Sequence, residues 1–185
     1  MHSTRFIGSL FFLFGLLAML PAPIRAASAY ELDRDGRIAL QKLYAKNPKA
    51  IEVAYQSAAV LVFPTVVKGG FIFGAQGGDG VLISNGNTLG YYNTSAVSYG
   101  LQAGVQKYGY ALFFMNHRAM DYLRRSNGWE VGVGPSFVVV DAGVARTLTT
   151  TTMKKDIYAF IFNQKGLMAG LGLQGAKITP YTPSE

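Results

Sequence analysis

The chain has 185 residues, with 17 Lys and Arg against 10 Asp and Glu for a formal net charge of +7; half of the residues are hydrophobic and 22 are glycine. This length accommodates one ordinary domain, the apolar fraction excludes global disorder, and the basic balance suits an anionic partner. The absence of Cys excludes disulfides, thiolate metal sites, thiol catalysis and lipid attachment through an N-terminal Cys, and two histidines, His2 and His117, are too few for a multi-histidine metal centre.

Residues 1–29 read as a secretory signal peptide. Arg5 and the free amine form a short positive region, Phe6 to Leu20 is an uncharged apolar run, and Ala27-Ser28-Ala29 offers a small-x-small cleavage site, placing the mature start at Ala27 or Tyr30. The apolar run is shorter than the roughly 20 residues a bilayer span needs, although a retained anchor is the rival reading. Residues 30–185 then form a single domain, exported to the periplasm or associated with the envelope.

Residues 30–47 have helical periodicity, with Leu32, Gly36, Ala39, Leu40 and Leu43 on one face and Arg34, Arg37, Lys42 and Lys46 flanking it or further round. Such a stripe either docks on a core or lies in a membrane surface while the cationic heads reach phosphates. Asn47-Pro48 predicts a break and a second helical segment reaching about Ala59. From Val60 the pattern changes to short, glycine-punctuated runs that predict antiparallel strands: Val60 to Phe63, Gly70 to Gly77, Val81 to Ser84, Gly90 to Asn93 and Ala96 to Val105. Tyr108, Tyr110, Leu112 and Phe114 alternate at period two, and Asn116 predicts the cap of a short helix to about Arg125. Strands resume at Trp129 to Val133, Phe137 to Asp141, Asp156 to Phe162 and Leu167 to Ile178. The expected fold class is α+β: N-terminal amphipathic helices, then a curved, glycine-rich antiparallel sheet with one short inserted helix.

Several chemical motifs fail on context. Gly170-Leu171-Gly172-Leu173-Gln174-Gly175 satisfies G-x-G-x-x-G, but no helix-like segment follows and no acidic residue lies about 20 positions on to hold a ribose. His117 and Asp121 are spaced i, i+4 but no nucleophile elbow accompanies them. Asp79, Asp121, Glu130, Asp141 and Asp156 fall beside turns or element ends, where caps and solvated charges are the ordinary explanation. The basic residues are dispersed without a helix-turn-helix or RNP-type motif, so nucleic acid is not the expected partner. The reading is of a non-enzyme without a cofactor. Trp129, the only tryptophan, is expected to anchor the core, with membrane contact as the alternative.

Five blocks, in order, resemble the SYLF domain: Val60-Leu61-Val62-Phe63-Pro64-Thr65-Val66-Val67-Lys68-Gly69-Gly70-Phe71, then Gly77-Gly78-Asp79-Gly80-Val81-Leu82, Ser98 to Gly104, Gly128 to Pro135, and Tyr158 to Gly170. The resemblance spans about residues 32–180. It implies a lipid-binding domain; eukaryotic members bind phosphoinositides and the yeast branch also binds actin filaments. The family's lipid-contacting basic helix corresponds by position to Arg34, Arg37, Lys42 and Lys46, and Lys49 and Lys68 complete the candidate lipid-binding set. The export signal, and the lack of SH3 or FYVE partner domains, make an anionic phospholipid of a bacterial envelope the expected ligand. The runner-up is a structural or adaptor protein whose basic face binds another protein, and a fallback lipid site comprises Lys68, Arg124, Arg125, Lys154 and Lys155.

Overall fold

The computed structural model describes residues 27–99, 104–165, 173 and 175–184. The apolar run of the expected export signal, most of the Gly100–Gly104 block, most of the G-x-G-x-x-G motif and most of the predicted Leu167–Ile178 strand lie outside the described residues. The architecture is α+β, with a curled, mostly antiparallel eight-stranded sheet.

Two helices precede the sheet, α1 (Ala29–Lys46) and α2 (Pro48–Gln56). Ser28 caps α1 in a reciprocal capping box: its Oγ accepts from the Glu31 N–H, and its own N–H donates to Glu31 Oε2. Asn47 closes α1 in an extended conformation and Pro48 opens α2 without needing an N–H, so the helices meet at a sharp joint. Ser57 caps α2 well before Ala59, which begins the first strand.

The strands are β1 (Ala59–Gly70), β2 (Phe73–Ser84), β3 (Asn87–Tyr99), β4 (Gly104–Phe114), β5 (Trp129–Glu130), β6 (Phe137–Val139), β7 (Ile157–Lys165) and β8 (Lys177–Tyr181), in the spatial order β5-β8-β3-β2-β1-β4-β7-β6. The long strands β1 to β4 occupy the interior of the sheet, and its edges are the two- and three-residue β5 and β6, too short to template further pairing. Glycines that read as punctuation lie within strands. A Cβ on Gly80 would fall 2.6 Å from the Val62 carbonyl oxygen, so this close approach of β2 to β1 requires glycine.

Two details correct the expected fold. The inserted helices number two among the described residues after β1, α3 (His117–Arg125) and α4 (Ala142–Thr147). The Phe137–Val139 strand pairs parallel to β7, because α4 carries the chain back across the sheet as a crossover between them. The short helix expected after Asn116 is α3, and the Asn116 side chain accepts from the Ala119 N–H.

Over the half of the sheet nearer α1 and α3, both faces are buried. Val60, Val62, Val81, Ala111, Phe113 and Phe160 face α1 and α2, whose Ala39, Leu40, Leu43, Ala50 and Val53 cover them. Gly36 makes this approach possible, since a Cβ there would lie 2.4 Å from a Val81 methyl. The concave face is filled by Leu61, Phe63, Leu82, Tyr110, Leu112 and Phe114 under α3 and Trp129. Trp129 is 2% exposed, stacks obliquely on Phe114 and donates its indole N–H to the Val133 carbonyl at 2.8 Å. The buried Tyr110 hydroxyl donates to Thr94 Oγ1 at 2.7 Å, and burial pushes its pKa far up.

Candidate functional site

A line of irregularities crosses the sheet. β1 carries one extra residue against both neighbours at Pro64-Thr65: Phe63 pairs with Tyr110 and Val66 with Tyr108, so two residues oppose Gly109 alone. Proline is tolerated inside the central strand because this bulge frees it from the ladder. One strand further on, β7 carries its own extra residue between Phe162 and Lys165, where Asn163 adopts φ 53°. Gly109 lies between the two bulges, and a Cβ there would lie 2.4 Å from the Phe162 ring and 2.9 Å from the Pro64 carbonyl oxygen. A bulge locally kinks its strand, and these two lie side by side across β4 at the border of the core that α1 covers.

The bulge residues wall a cleft of about 450 Å³ between the C-terminal half of α1 and the sheet, lined by Lys42, Lys46, Pro64, Thr65, Lys107, Tyr108, Asn163 and Lys165. A smaller cavity shares Lys42, Pro64, Thr65 and Asn163 with it and reaches Asp35, Ile38 and Ala39. Lys42 and Lys46 are one helical turn apart on α1 and share an edge of it. Lys107 and Lys165 are directly opposed on β4 and β7. All four lysines are exposed, and among the described residues none of them forms an ion pair. Asp35, which lines this second cavity, accepts from Arg34 at 2.9 Å. Four ammonium groups around a polar concavity, with a threonine and an asparagine in its wall, form a receptor for an anion bearing several oxygens.

The sequence-predicted cations are not brought to one place. Lys42 and Lys46 line the cleft. Arg34 is paired with Asp35, and Lys49 with Glu52. Arg37 is built into the fold: its Nε donates to Asp33 at 2.9 Å, and the Thr88 hydroxyl of β3 hydrogen-bonds the same carboxylate. The hydrogen bond from Arg37 holds the Asp33 carboxyl below its usual pKa. Lys68 pairs across β1 with Gln76 and Gln106, in the step after the concave-facing Val66, and so stands on the face opposite the cleft. Lys107 and Lys165 are absent from the sequence-predicted set.

The remaining chemistry is structural. His117 is exposed and bonds to no side chain among the described residues. The Asp156 side chain, 15% exposed, accepts from Asn116 Nδ2, from the Ser136 N–H and hydroxyl, and from Arg118, which together hold its pKa well below the carboxylate range. Burial raises the Tyr108 phenol to about 12, and its hydroxyl donates to Gln76 Oε1 at 2.9 Å. Among the described residues no cluster of His, Asp and Glu could hold a metal ion, and no helix is long and apolar enough to cross a membrane.

Residues 95–184 match the family model Ysc84, described as Las17-binding protein actin regulator. No curated protein matches the chain at a significant level.

Proposed function

From the Ysc84 (SYLF) domain that residues 95–184 match, a binding family, we propose that this chain is a non-enzymatic receptor for anionic phospholipid at a membrane surface. The observation that carries the reading is the lysine cleft: Lys42, Lys46, Lys107 and Lys165 surround one concavity without a carboxylate paired to any of them among the described residues. Holding like charges together is unfavourable, and a phosphate-bearing headgroup relieves that cost. Residues 1–29 supply export, so the bilayer met is that of a bacterial envelope and the ligand is an acidic phospholipid of that membrane.

Charge attraction alone is modest. Each lysine near an anionic surface contributes roughly 1 kcal/mol, so four give a dissociation constant on the order of 1 mM. Cosedimentation with phosphatidylglycerol vesicles against phosphatidylcholine vesicles tests the reading. Retention on the anionic vesicles alone, lost in Lys107→Glu/Lys165→Glu, is the expected result, and equal retention on both lipids would overturn it. The family description favours one alternative, an adaptor that binds another protein. In that case the complex would form in lipid-free solution and phosphatidylglycerol would not compete for it.

A further inference from the structure

We propose that the end of the sheet bearing the β1–β2 turn is a second membrane contact, inserting Phe71, Ile72, Phe73, Val97, Tyr99 and Val105 among the acyl chains of the bilayer whose headgroups meet the lysine cleft. The proposal rests on the membrane reading above and goes beyond it by assigning a site that anchors rather than attracts.

The two ends of β2 contrast in chemistry. At one end it turns into β3 through Asn85-Gly86, both at positive φ (48° and 79°), the residues a tight turn in water requires. At the other end Gly70 pairs with Gly74, and the apex between them is Phe71-Ile72, with the Phe71 N–H bonded to the Phe73 carbonyl. Turn chemistry does not ask for large apolar residues there. Phe71 is 66% exposed and Phe73 74%; the Phe73 ring lies 5.2 Å from that of Tyr99, its cross-strand partner, itself 78% exposed. Val97 and Val105 extend the patch along β3 and β4. Six of the thirteen large apolar side chains that the described residues leave exposed are thus gathered at one end.

The order of residues leading away from that end favours a bilayer as the occupant. Val105 and Lys107 lie on the same face of β4, two residues apart or about 7 Å, and Lys107 lines the cleft. Val67 stands opposite Lys107, and Lys68 sits one residue behind it on the other face. Moving from the apex inward on the face that carries Phe73, Tyr99 and Val105, apolar side chains therefore give way to the Lys107 ammonium group and the cleft, matching the passage from acyl chains to phosphate headgroups. A second copy of the chain fits worse, because two apposed ends would bring Lys68, Lys107 and Lys165 of each copy together.

The test places a reporter at the apex. Phe71→Trp in the processed full chain is mixed with vesicles of phosphatidylglycerol and phosphatidylcholine carrying brominated acyl chains, with the wild-type Trp129 signal as background. Blue-shifted and quenched emission from Trp at 71, and an about tenfold or greater loss of vesicle affinity in Phe71→Ser/Phe73→Ser/Tyr99→Ser with pyrophosphate binding retained, are the expected results. If the chain sediments with anionic vesicles but the reporter is not quenched, the insertion is overturned while the membrane reading stands. If the wild-type chain does not bind anionic vesicles, both fall. A concentration-dependent dimer in buffer that the triple substitution abolishes would overturn insertion in favour of self-association. The reporter variant decides the matter even if the triple variant fails to fold.

Discussion

Lys107 and Lys165 face each other directly across β4 and β7, although 57 residues separate them in the chain. Opposed like charges on a sheet are unfavourable, so Lys165→Glu, which creates an opposed pair with Lys107, is expected to raise stability by roughly 0.5 kcal/mol. The same change removes one attraction to an anionic surface and adds one repulsion, lowering vesicle affinity by about thirtyfold at low salt. Thermal denaturation and cosedimentation of one variant measure both, and a variant that loses stability and affinity together would show that the pair is structural.

On α1, the cations divide by what they touch. Lys42→Glu/Lys46→Glu alters two exposed side chains of the cleft and is expected to change stability by less than about 0.5 kcal/mol per site while weakening binding to anionic vesicles. Arg37→Glu instead sets a carboxylate beside Asp33 and breaks the link to Thr88, so its unfolding midpoint falls by the equivalent of about 1–3 kcal/mol. Urea titrations of the two variants separate them.

Asp156 ties the start of α3 to Ser136 before β6, and its folded-state pKa is depressed chiefly by Asn116 and Ser136. A depressed carboxyl stabilises the fold fully above its unfolded pKa, near 3.9, and that stabilisation is lost as pH falls toward the folded value. Asp156→Asn is therefore expected to cost about 2–3 kcal/mol at pH 7 and progressively less below about pH 4. Unfolding midpoints of both proteins between pH 7 and pH 3 check this. A constant difference would mean that Asp156 acts by shape rather than charge.

Trp129 is buried beneath α3 against Phe114. Its emission in buffer is expected to be blue-shifted and unchanged by anionic vesicles that bind the chain. A large shift on binding would require the concave core to open.

The processing expected at the N-terminus bears on α1. A chain beginning at Ala27 keeps Ser28, its capping box with Glu31 and the Ala29 N–H to Ser184 carbonyl bond; one beginning at Tyr30 loses all three. The shorter form is expected to be less stable by about 1 kcal/mol or more, measurable by denaturing each form after intact-mass assignment.

The sequence makes local features legible and leaves long-range ones hidden. Asn116 followed by an amphipathic run marks α3 because cap and helix are neighbours in the chain. The alternation of Tyr108, Tyr110, Leu112 and Phe114 likewise identifies one face of β4 as core, since period two is a local property. The cleft is different. Lys107 and Lys165 meet only through the β4–β7 register, and that register depends on an extra residue at Asn163 whose effect alternation does not reveal. Arg37 and Lys49 looked as free as Lys42 because their acidic partners lie on the same helices, where spacing alone does not say which pairs close. Glycines read as boundaries divided β2 in two, although Gly77, Gly78 and Gly80 are paired strand residues, and Gly78 and Gly80 allow the neighbouring backbone to come close.

The bulges at Thr65 and Asn163 also set the terms on which such a sheet could diversify. Each adds one residue to its strand without moving any core side chain to the other face: Phe63 and Val66, on either side of the first bulge, both pack into the concave core. Deleting both extra residues is thus expected to leave the apolar pattern in phase and the core intact while flattening the sheet against α1. The recess would close and its lysines would spread over an ordinary surface. On the proposed reading, binding in such a fold would turn on single-codon insertions and deletions, with no change in the residues that make it fold.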